Sequence, residues 1–472
     1  MEQGYDYGMI GLGTMGRNLV YNMCDHGYAV AGYDKDIAMV EELEKGKGNY
    51  QLTGARNINQ LIDALKTPRI ILLLVPAGSI VDAVIQELIP LLSKEDVIID
   101  CGNSHFTDTD RRTYQLAKDN IHFMGIGISG GEYGARNGPS IMPGGSKEIY
   151  DRVEPMLKAV SAKANGEPCV AYLGTGSAGH YVKMVHNGIE YALMELIAET
   201  YQLMKQGAGM SNKELHDVYS KWNEGTLHSF LILITAAIFM KKDELTSNDL
   251  VDMILDSTGQ KGTGAWTTED AMALEVPVPV IDISVTMRNL SALKKERLEA
   301  EKILDGPKKE IDYDKTQLAD TLADALDFAI ITVFAQGMEL LQKASAVYKY
   351  DLNLENIAAI WREGCIIRAS VLEELRRALV TQPTIANLML SQVFKDRLTG
   401  LQDKIRHIAC IGIDTGIPLP AFMASLAYYD SYRSGWLPGN LLQAQRDYFG
   451  AHTYERIDRE GIFHTQWNQN ES

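Results

Sequence analysis

The segment Gly11-Leu12-Gly13-Thr14-Met15-Gly16 constrains this chain most, because it lies between the apolar run Tyr7–Ile10 and the helical stretch Arg17–His26. Glycines at that spacing form a tight turn and let backbone approach a pyrophosphate at the positive N-terminus of the next helix. Alone, the motif is equally compatible with a flexible glycine-rich loop. Its position strengthens it, since further strand-like runs follow at Tyr28–Tyr33, Ile70–Val75, Val97–Asp100 and His122–Ile126, with helical stretches such as Ile80–Leu92 between them. That alternation predicts a parallel sheet with right-handed crossovers. An acidic residue placed to meet an adenosine ribose is present as Asp34, 23 positions after Gly11. A dinucleotide-binding Rossmann domain over residues 1–178 follows.

The strand signature fades after Gly174-Thr-Gly-Ser-Ala-Gly179, and apolar residues then recur with the helical period to about Tyr432. The predicted fold is therefore an α/β Rossmann domain followed by a large all-α domain over residues 179–434. Residues 435–472, with Gly435, Pro438, Gly439 and Gly450, read as an extended C-terminal tail. A length of 472 residues accommodates such a division. Trp222-Asn-Glu-Gly225 and Trp361-Arg-Glu-Gly364, 139 positions apart, suggest a duplicated helical unit. The run Phe230–Met240, broken only by Thr235, is too short to span a bilayer and reads as a buried helix.

Charge narrows the partners. With 45 Lys and Arg against 62 Asp and Glu, the net charge is −17, which disfavours nucleic acid and anionic membrane. A small phosphorylated substrate remains compatible, because a few cations dominate locally inside a cleft. The five cysteines (Cys24, Cys101, Cys169, Cys365, Cys410) form no Cys-x-x-Cys pair and read as reduced thiols of a soluble, cytoplasmic protein. The first residues lack the basic and apolar regions of a signal peptide. No His or Cys spacing suggests a metal site.

The segment Lys183-Met-Val-His186-Asn187-Gly-Ile-Glu190-Tyr191 indicates the chemistry. Lys183, His186, Asn187, Glu190 and Tyr191 share one helix face, while Val182, Val185, Ile189, Leu193 and Leu196 supply the apolar remainder. One Lys–Glu pair at this spacing would read as a solvated face. Five such groups in one stripe near a domain boundary read better as an active-site wall. Burial there lowers a lysine's pKa and raises a glutamate's, giving a base and an acid. Ser129-Gly130-Gly131 and Pro143-Gly144-Gly145 follow the last predicted strand, where open α/β sheets bind ligands, although turn chemistry suffices for the second. Gly259-Gln-Lys261-Gly-Thr-Gly264 lacks the spacing of an NTPase phosphate loop, yet its lysine is placed to meet a phosphate.

Together with Gly138–Gly145 and the tail segment Gln443–Tyr454, these motifs resemble the decarboxylating 6-phosphogluconate dehydrogenases over nearly the full length. The resemblance implies oxidative decarboxylation of 6-phosphogluconate to ribulose 5-phosphate and carbon dioxide, in the pentose phosphate pathway and gluconate utilization. It implies Lys183 as general base and Glu190 as acid. Asn103, Ser129, Gly130, Gly131, His186 and Asn187 would contact the substrate carboxylate and hydroxyls, and Tyr191, Lys261 and Arg288 its phosphate. Arg446 and His452 would reach the other subunit's site, making the protein a homodimer with shared sites. The cofactor would meet Gly11–Gly16, Asp34, Lys35, Asp36, Val75, Pro76, Ala77 and Asn103.

Three positions depart from that family. Asp34-Lys35-Asp36 stands where Asn-Arg-Thr or Asn-Arg-Ser is usual, Val75-Pro76-Ala77-Gly78 where Val-Lys-Ala-Gly is usual, and Cys101 replaces a common glycine. The family norm is NADP. Asp34 would repel a 2′-phosphate, and Lys35 replaces an arginine fork poorly, so these residues predict NAD preference or dual use. Two rival readings are a β-hydroxyacid dehydrogenase of the 3-hydroxyisobutyrate type and a non-catalytic dinucleotide-sensing protein. The former are usually shorter and lack the tail, and the latter needs no Lys183 and Glu190.

Overall fold

Parallel pairing dominates the N-terminal sheet. In the computed structural model, which describes residues 4–259, 262–311 and 313–467, seven strands run in the order β3-β2-β1-β4-β5-β6-β7. They are β1 (Tyr7–Ile10), β2 (Val30–Tyr33), β3 (Leu52–Ala55), β4 (Ile70–Leu73), β5 (Val97–Asp100), β6 (His122–Ser129) and β7 (Ser140–Gly144). Helices α1 (Thr14–Asp25), α2 (Ile37–Lys45), α3 (Ile58–Ala64), α4 (Ser79–Leu88) and α5 (Phe106–Ala117) make the crossovers. Consecutive strand residues feed opposite cores. Met9, Leu72 and Ile99 join one cluster, while Ile10, Ile71 and Ile98 join the other. Burial on both faces explains why these strands read as continuous apolar runs.

Two strands of this sheet escaped the sequence reading. β3 is short and carries Gly54, where a Cβ would press on Val40. β7 contains Pro143 and Gly144 and runs antiparallel to β6 at the sheet edge, where proline is tolerated. Gly144 belongs to this strand and not to a turn, because a Cβ there would overlap the backbone N of Gly179. Its role is close packing.

After α6 (Gly131–Asn137) and α7 (Lys147–Val160) the chain enters α8 (Ala178–Gln202), which lies on β6 and β7 and against the long helix α14 (Lys315–Tyr348). Between them run α9 (Asn212–Asn223), α10 (Phe230–Ile238), α11 (Thr263–Ala273), α12 (Pro279–Ala292) and α13 (Lys294–Ile303). Then come α15 (Leu354–Ile360), α16 (Val371–Thr381), α17 (Gln392–Thr415), α18 (Pro420–Tyr432) and α19 (Gly439–Gly450). The order of long helix, shorter helix with a tryptophan at or just past its last turn (Trp222, Trp361), and further helix occurs as α8-α9-α10 and again as α14-α15-α16. The two linking loops meet in an antiparallel bridge, Ser229 with Ala369, where Phe230 N donates to Arg368 O and Ser370 N to His228 O.

The run Phe230–Met240 is helical as far as Ile238 but only half buried. Leu231, Ile232 and Ala236 are covered, whereas Leu233, Ile238 and Met240 are exposed, so the expected burial fails on one face. No helix among the described residues is long and apolar enough to cross a membrane.

By packing, the chain divides into two units, Met1–Ser425 and Leu426–Ser472. The sheet and most of the helical bundle share the first, because α8 bridges them. The second is more structured than its composition suggests. Around the buried Asp447 of α19 gather the N–H groups of Thr453 and Thr465, the Trp467 indole N–H and His464, closing a short ladder of Tyr454–Glu455 with Ile462–Phe463. A carboxylate organises this unit, and apolar periodicity does not register it.

Candidate active site

At the C-terminal ends of β1, β2 and β4 the glycine motif takes three distinct tasks. Gly11 has φ +98° and lies against Leu74 O, where no side chain fits, and a Cβ on Gly16 would overlap Gly11 O. Gly13, the N-cap of α1, has nothing within 4 Å of a built Cβ, so the N-terminus of that helix is left open for an anion to approach. Thr14, Met15 and Gly16 form that first turn. Leu12 buries its side chain in the core and gives its N–H to Asp34 Oδ2 at 2.7 Å, while Asp34 Oδ1 accepts Asp36 N at 2.9 Å. The carboxylate is thereby fixed with lone pairs to spare for ribose hydroxyls.

A cavity of about 280 Å³ lies beside it, lined by Gly11, Gly13, Asp34, Lys35, Val75 and Pro76 together with the apolar Ile58, Ile80 and Val84. This volume and lining suit an adenosine. Asp36 is not on the wall and caps α2 by accepting Ala38 N. Ala77 is exposed in the same loop. Glu87, which the motif reading missed, also lines the cavity and holds Lys35 Nζ at 2.8 Å. Its signal was the spacing Ile80, Val84 and Glu87 on one face of α4.

The polar stripe lies on α8 where that helix crosses β6. Gly125 and Gly127 of β6 make this possible, since a Cβ at Gly125 would meet His180 and one at Gly127 would overlap Lys183 Cβ. Lys183 is thus held close to the end of β6, where Ser129 closes the strand and Gly130 leads into α6. Lys183 Nζ donates to Asn187 Oδ1 at 2.8 Å and lies 3.5 Å from His186 Nδ1. His186 Nδ1 is 3.1 Å from Asn187 Oδ1, and Ser129 Oγ is 3.3 Å from Nε2. Both contacts are satisfied when Nδ1 carries the proton and Ser129 donates to Nε2. Glu190 Oε2 is 3.8 Å from His186 Nδ1.

Burial sets the protonation of this group. It lowers the Lys183 pKa, against the opposing pull of the Glu190 charge, and drives His186 far below its ordinary value. The Glu190 carboxyl is raised by the same desolvation, with Lys183 and Arg288 pulling back. Cys365, buried beside Lys183, is pushed up to about 12 and stays a neutral thiol. Trp361, fully buried, meets the His186 ring edge-on at 5.6 Å.

Arg288 stacks on the Tyr191 ring at 3.6 Å and donates to Gly259 O at 3.4 Å. Gly262, at φ +91°, opens α11, whereas Lys261 lies outside the described residues. Asn103 is exposed in the loop after β5, and Gly131 is exposed at the start of α6. Arg112, which no motif marked, braces two of these loops. Its buried guanidinium donates to Gly78 O at 2.9 Å, Ser104 Oγ at 3.1 Å and Asp82 at 2.8 Å. Arg446 and His452 belong to the second unit, where Arg446 donates to Gln443 and His452 meets Phe449 edge-on.

Known proteins match along the whole chain. A family model for the NAD binding domain of 6-phosphogluconate dehydrogenase matches residues 6–174, and one for that enzyme's C-terminal domain matches residues 179–467. An NADP(+)-dependent, decarboxylating 6-phosphogluconate dehydrogenase of Bacillus subtilis is 50% identical over 98% of both chains. A decarboxylating 6-phosphogluconate dehydrogenase of Lactococcus lactis is 47% identical with the same coverage. The solved 6-phosphogluconate dehydrogenase of Plasmodium falciparum, whose study includes complexes with NADP+ and 6-phosphogluconate, superposes with a TM-score of 0.93. It is 43% identical and covers 98% of this chain and 100% of its own.

Proposed function

The chain belongs to the 6-phosphogluconate dehydrogenase family, and from that premise we propose how its own residues carry out the oxidative decarboxylation of 6-phosphogluconate to ribulose 5-phosphate and carbon dioxide. The observation that carries the assignment is the buried Lys183 and half-buried Glu190 on one face of α8, joined to Ser129 of β6 through Asn187 and His186.

Lys183, its pKa lowered by burial so that the neutral amine is easier to reach, takes the proton of the C3 hydroxyl. The nicotinamide of the bound dinucleotide supplies the hydride acceptor. The resulting 3-keto acid loses C1 because the carbonyl accepts the electrons, and the ammonium of Lys183 stabilises the developing enolate oxygen. Glu190, whose carboxyl burial pushes up toward the acid form, delivers a proton to C1 of the enediol. Asn103, Ser129, Gly130, Gly131, His186 and Asn187 bind the carboxylate and hydroxyls, and Tyr191, Lys261 and Arg288 bind the phosphate. Arg288, braced on Tyr191, contributes a planar fork suited to that group.

Two finer readings complete the proposal. The relatives' names point to NADP, but the adenosine wall of this chain argues for NAD preference with NADP also accepted. Asp34 is fixed at the ribose position, Lys35 is engaged by Glu87, and Pro76 stands on the wall in place of a cation. The protein acts as a cytosolic homodimer, with Arg446 and His452 completing the partner's site. Supporting this are free cysteines throughout and apolar residues left exposed, among them Leu233, Met240, Trp436, Leu441, Leu442 and Phe449.

The test follows reduced nicotinamide by absorbance and released carbon dioxide with 6-phosphogluconate and either cofactor. Equal yields of the two products are expected, with kcat/KM higher for NAD. Hydride transfer without carbon dioxide, or turnover only with a 3-hydroxy acid lacking phosphate, would overturn the assignment. A kcat/KM ratio strongly in favour of NADP would overturn only the cofactor reading.

A further inference from the structure

The adenosine cavity contains an ion pair that the reaction itself does not explain. Lys35 and Glu87 both line it, and Lys35 Nζ donates to Glu87 Oε1 at 2.8 Å. Lys35 follows Asp34 at the end of β2, and Glu87 lies 52 residues further on, in the last turn of α4. The helix face bearing Ile80, Val84 and Glu87 supplies the apolar side of the cavity, so the carboxylate is presented at its rim by the same packing that forms the wall. The side chains are 63% and 42% exposed, so the pair is solvated and exchanges partners easily.

A 2′-phosphate entering beside Asp34 meets a fixed carboxylate, and the only cation among the lining residues of this cavity is Lys35. Lys35 turns toward the phosphate at the expense of its hydrogen bond to Glu87, so the pair opposes the 2′-phosphate by holding the lysine elsewhere. An NAD ribose asks nothing of Lys35 and leaves the pair intact. Discrimination needs an element that works against the unwanted ligand, and here it is the cost of breaking that pair. Glu87 also raises the affinity of Lys35 for its proton through their hydrogen bond, so the lysine is held as a cation but in the wrong place.

We propose that Glu87 is a selectivity residue for the dinucleotide, acting as a positioning residue that withholds Lys35 from the 2′-phosphate site. The inference rests on the reading of this cavity as the adenosine site and deepens the proposed NAD preference.

Binding of adenosine 2′,5′-bisphosphate and of 5′-AMP to the full-length protein, by titration calorimetry, reads the effect without turnover. Glu87→Gln is expected to raise the affinity ratio of bisphosphate to AMP about three- to tenfold. In a Lys35→Met background the same substitution should change the ratio less than about twofold. The NADP to NAD ratio of kcat/KM should move in parallel through KM, with melting temperature as the check on folding. No change of ratio in the Glu87→Gln protein would overturn the proposal, and so would an equal change in both backgrounds. The wild-type kcat/KM ratio tests the NAD preference separately, since Glu87→Gln shifts the ratio upward from whatever value the parent has.

Discussion

Gly13 and Gly16 are three residues apart and do different work, which makes them separable by mutation. A methyl at position 13 meets nothing in the protein, whereas one at position 16 overlaps Gly11 O. Gly13→Ala is expected to melt with the parent and to bind dinucleotide about tenfold or more weakly. Gly16→Ala should lose roughly 1–3 kcal/mol of stability, measured by calorimetry. Unchanged dinucleotide affinity in Gly13→Ala would mean that the pyrophosphate lies elsewhere. The α8 pair yields a second residue-scale outcome. The Glu190 charge raises the Lys183 pKa, so Glu190→Gln lowers it further, and the neutral lysine persists to more acid pH. The acid limb of the pH profile for hydride transfer should therefore move to lower pH, while protonation of the enediol slows by about 10²–10⁴-fold. An acid limb that stays put or moves upward would remove Lys183 from the role of base.

Among the elements, β6 and α8 form the contact on which the site depends. The glycines of β6 were visible in Ile126-Gly-Ile-Ser129, but nothing in a one-dimensional pattern says that Gly127 faces Lys183 across an interface. Gly127→Ala is expected to cost about 1–3 kcal/mol, because the built Cβ overlaps Lys183 Cβ and α8 must shift. Displacing the base from the end of β6 should lower kcat about tenfold or more, with a smaller effect on cofactor binding. Stopped-flow hydride transfer and denaturant melts check both. The element that the sequence misrepresented most was β7, whose Pro143 and Gly144 resemble a turn yet form an edge strand. On the matching order of α8-α9-α10 and α14-α15-α16, joined through the Ser229–Ala369 bridge, we propose a duplicated helical unit.

At the scale of the molecule, the second unit is a small body organised around Asp447, and it carries Arg446 and His452. If those two residues complete a partner's site, subunits with different defects should complement one another. Lys183→Ala and Arg446→Ala proteins, each inactive alone, should regain up to about a quarter of parental activity once mixed dimers form, because one of the two sites is then intact. Activity absent from verified mixed dimers would count against shared sites. The exposed apolar residues of α10 and of the tail should become protected from hydrogen exchange at concentrations where the dimer forms.

The sequence by itself determined the parallel sheet, the cofactor turn and the helix stripe. Each is written in local spacing, namely apolar runs of strand length, three glycines at fixed offsets, and polar groups at helical intervals. Tertiary structure decided what those groups become. The depressed Lys183 and raised Glu190 arise from desolvation by elements far away in the chain, and the Lys35–Glu87 pair joins residues 52 positions apart. The Arg112 brace and the Asp447 cluster were likewise illegible, because buried polar groups are satisfied one bond at a time and leave no period to read.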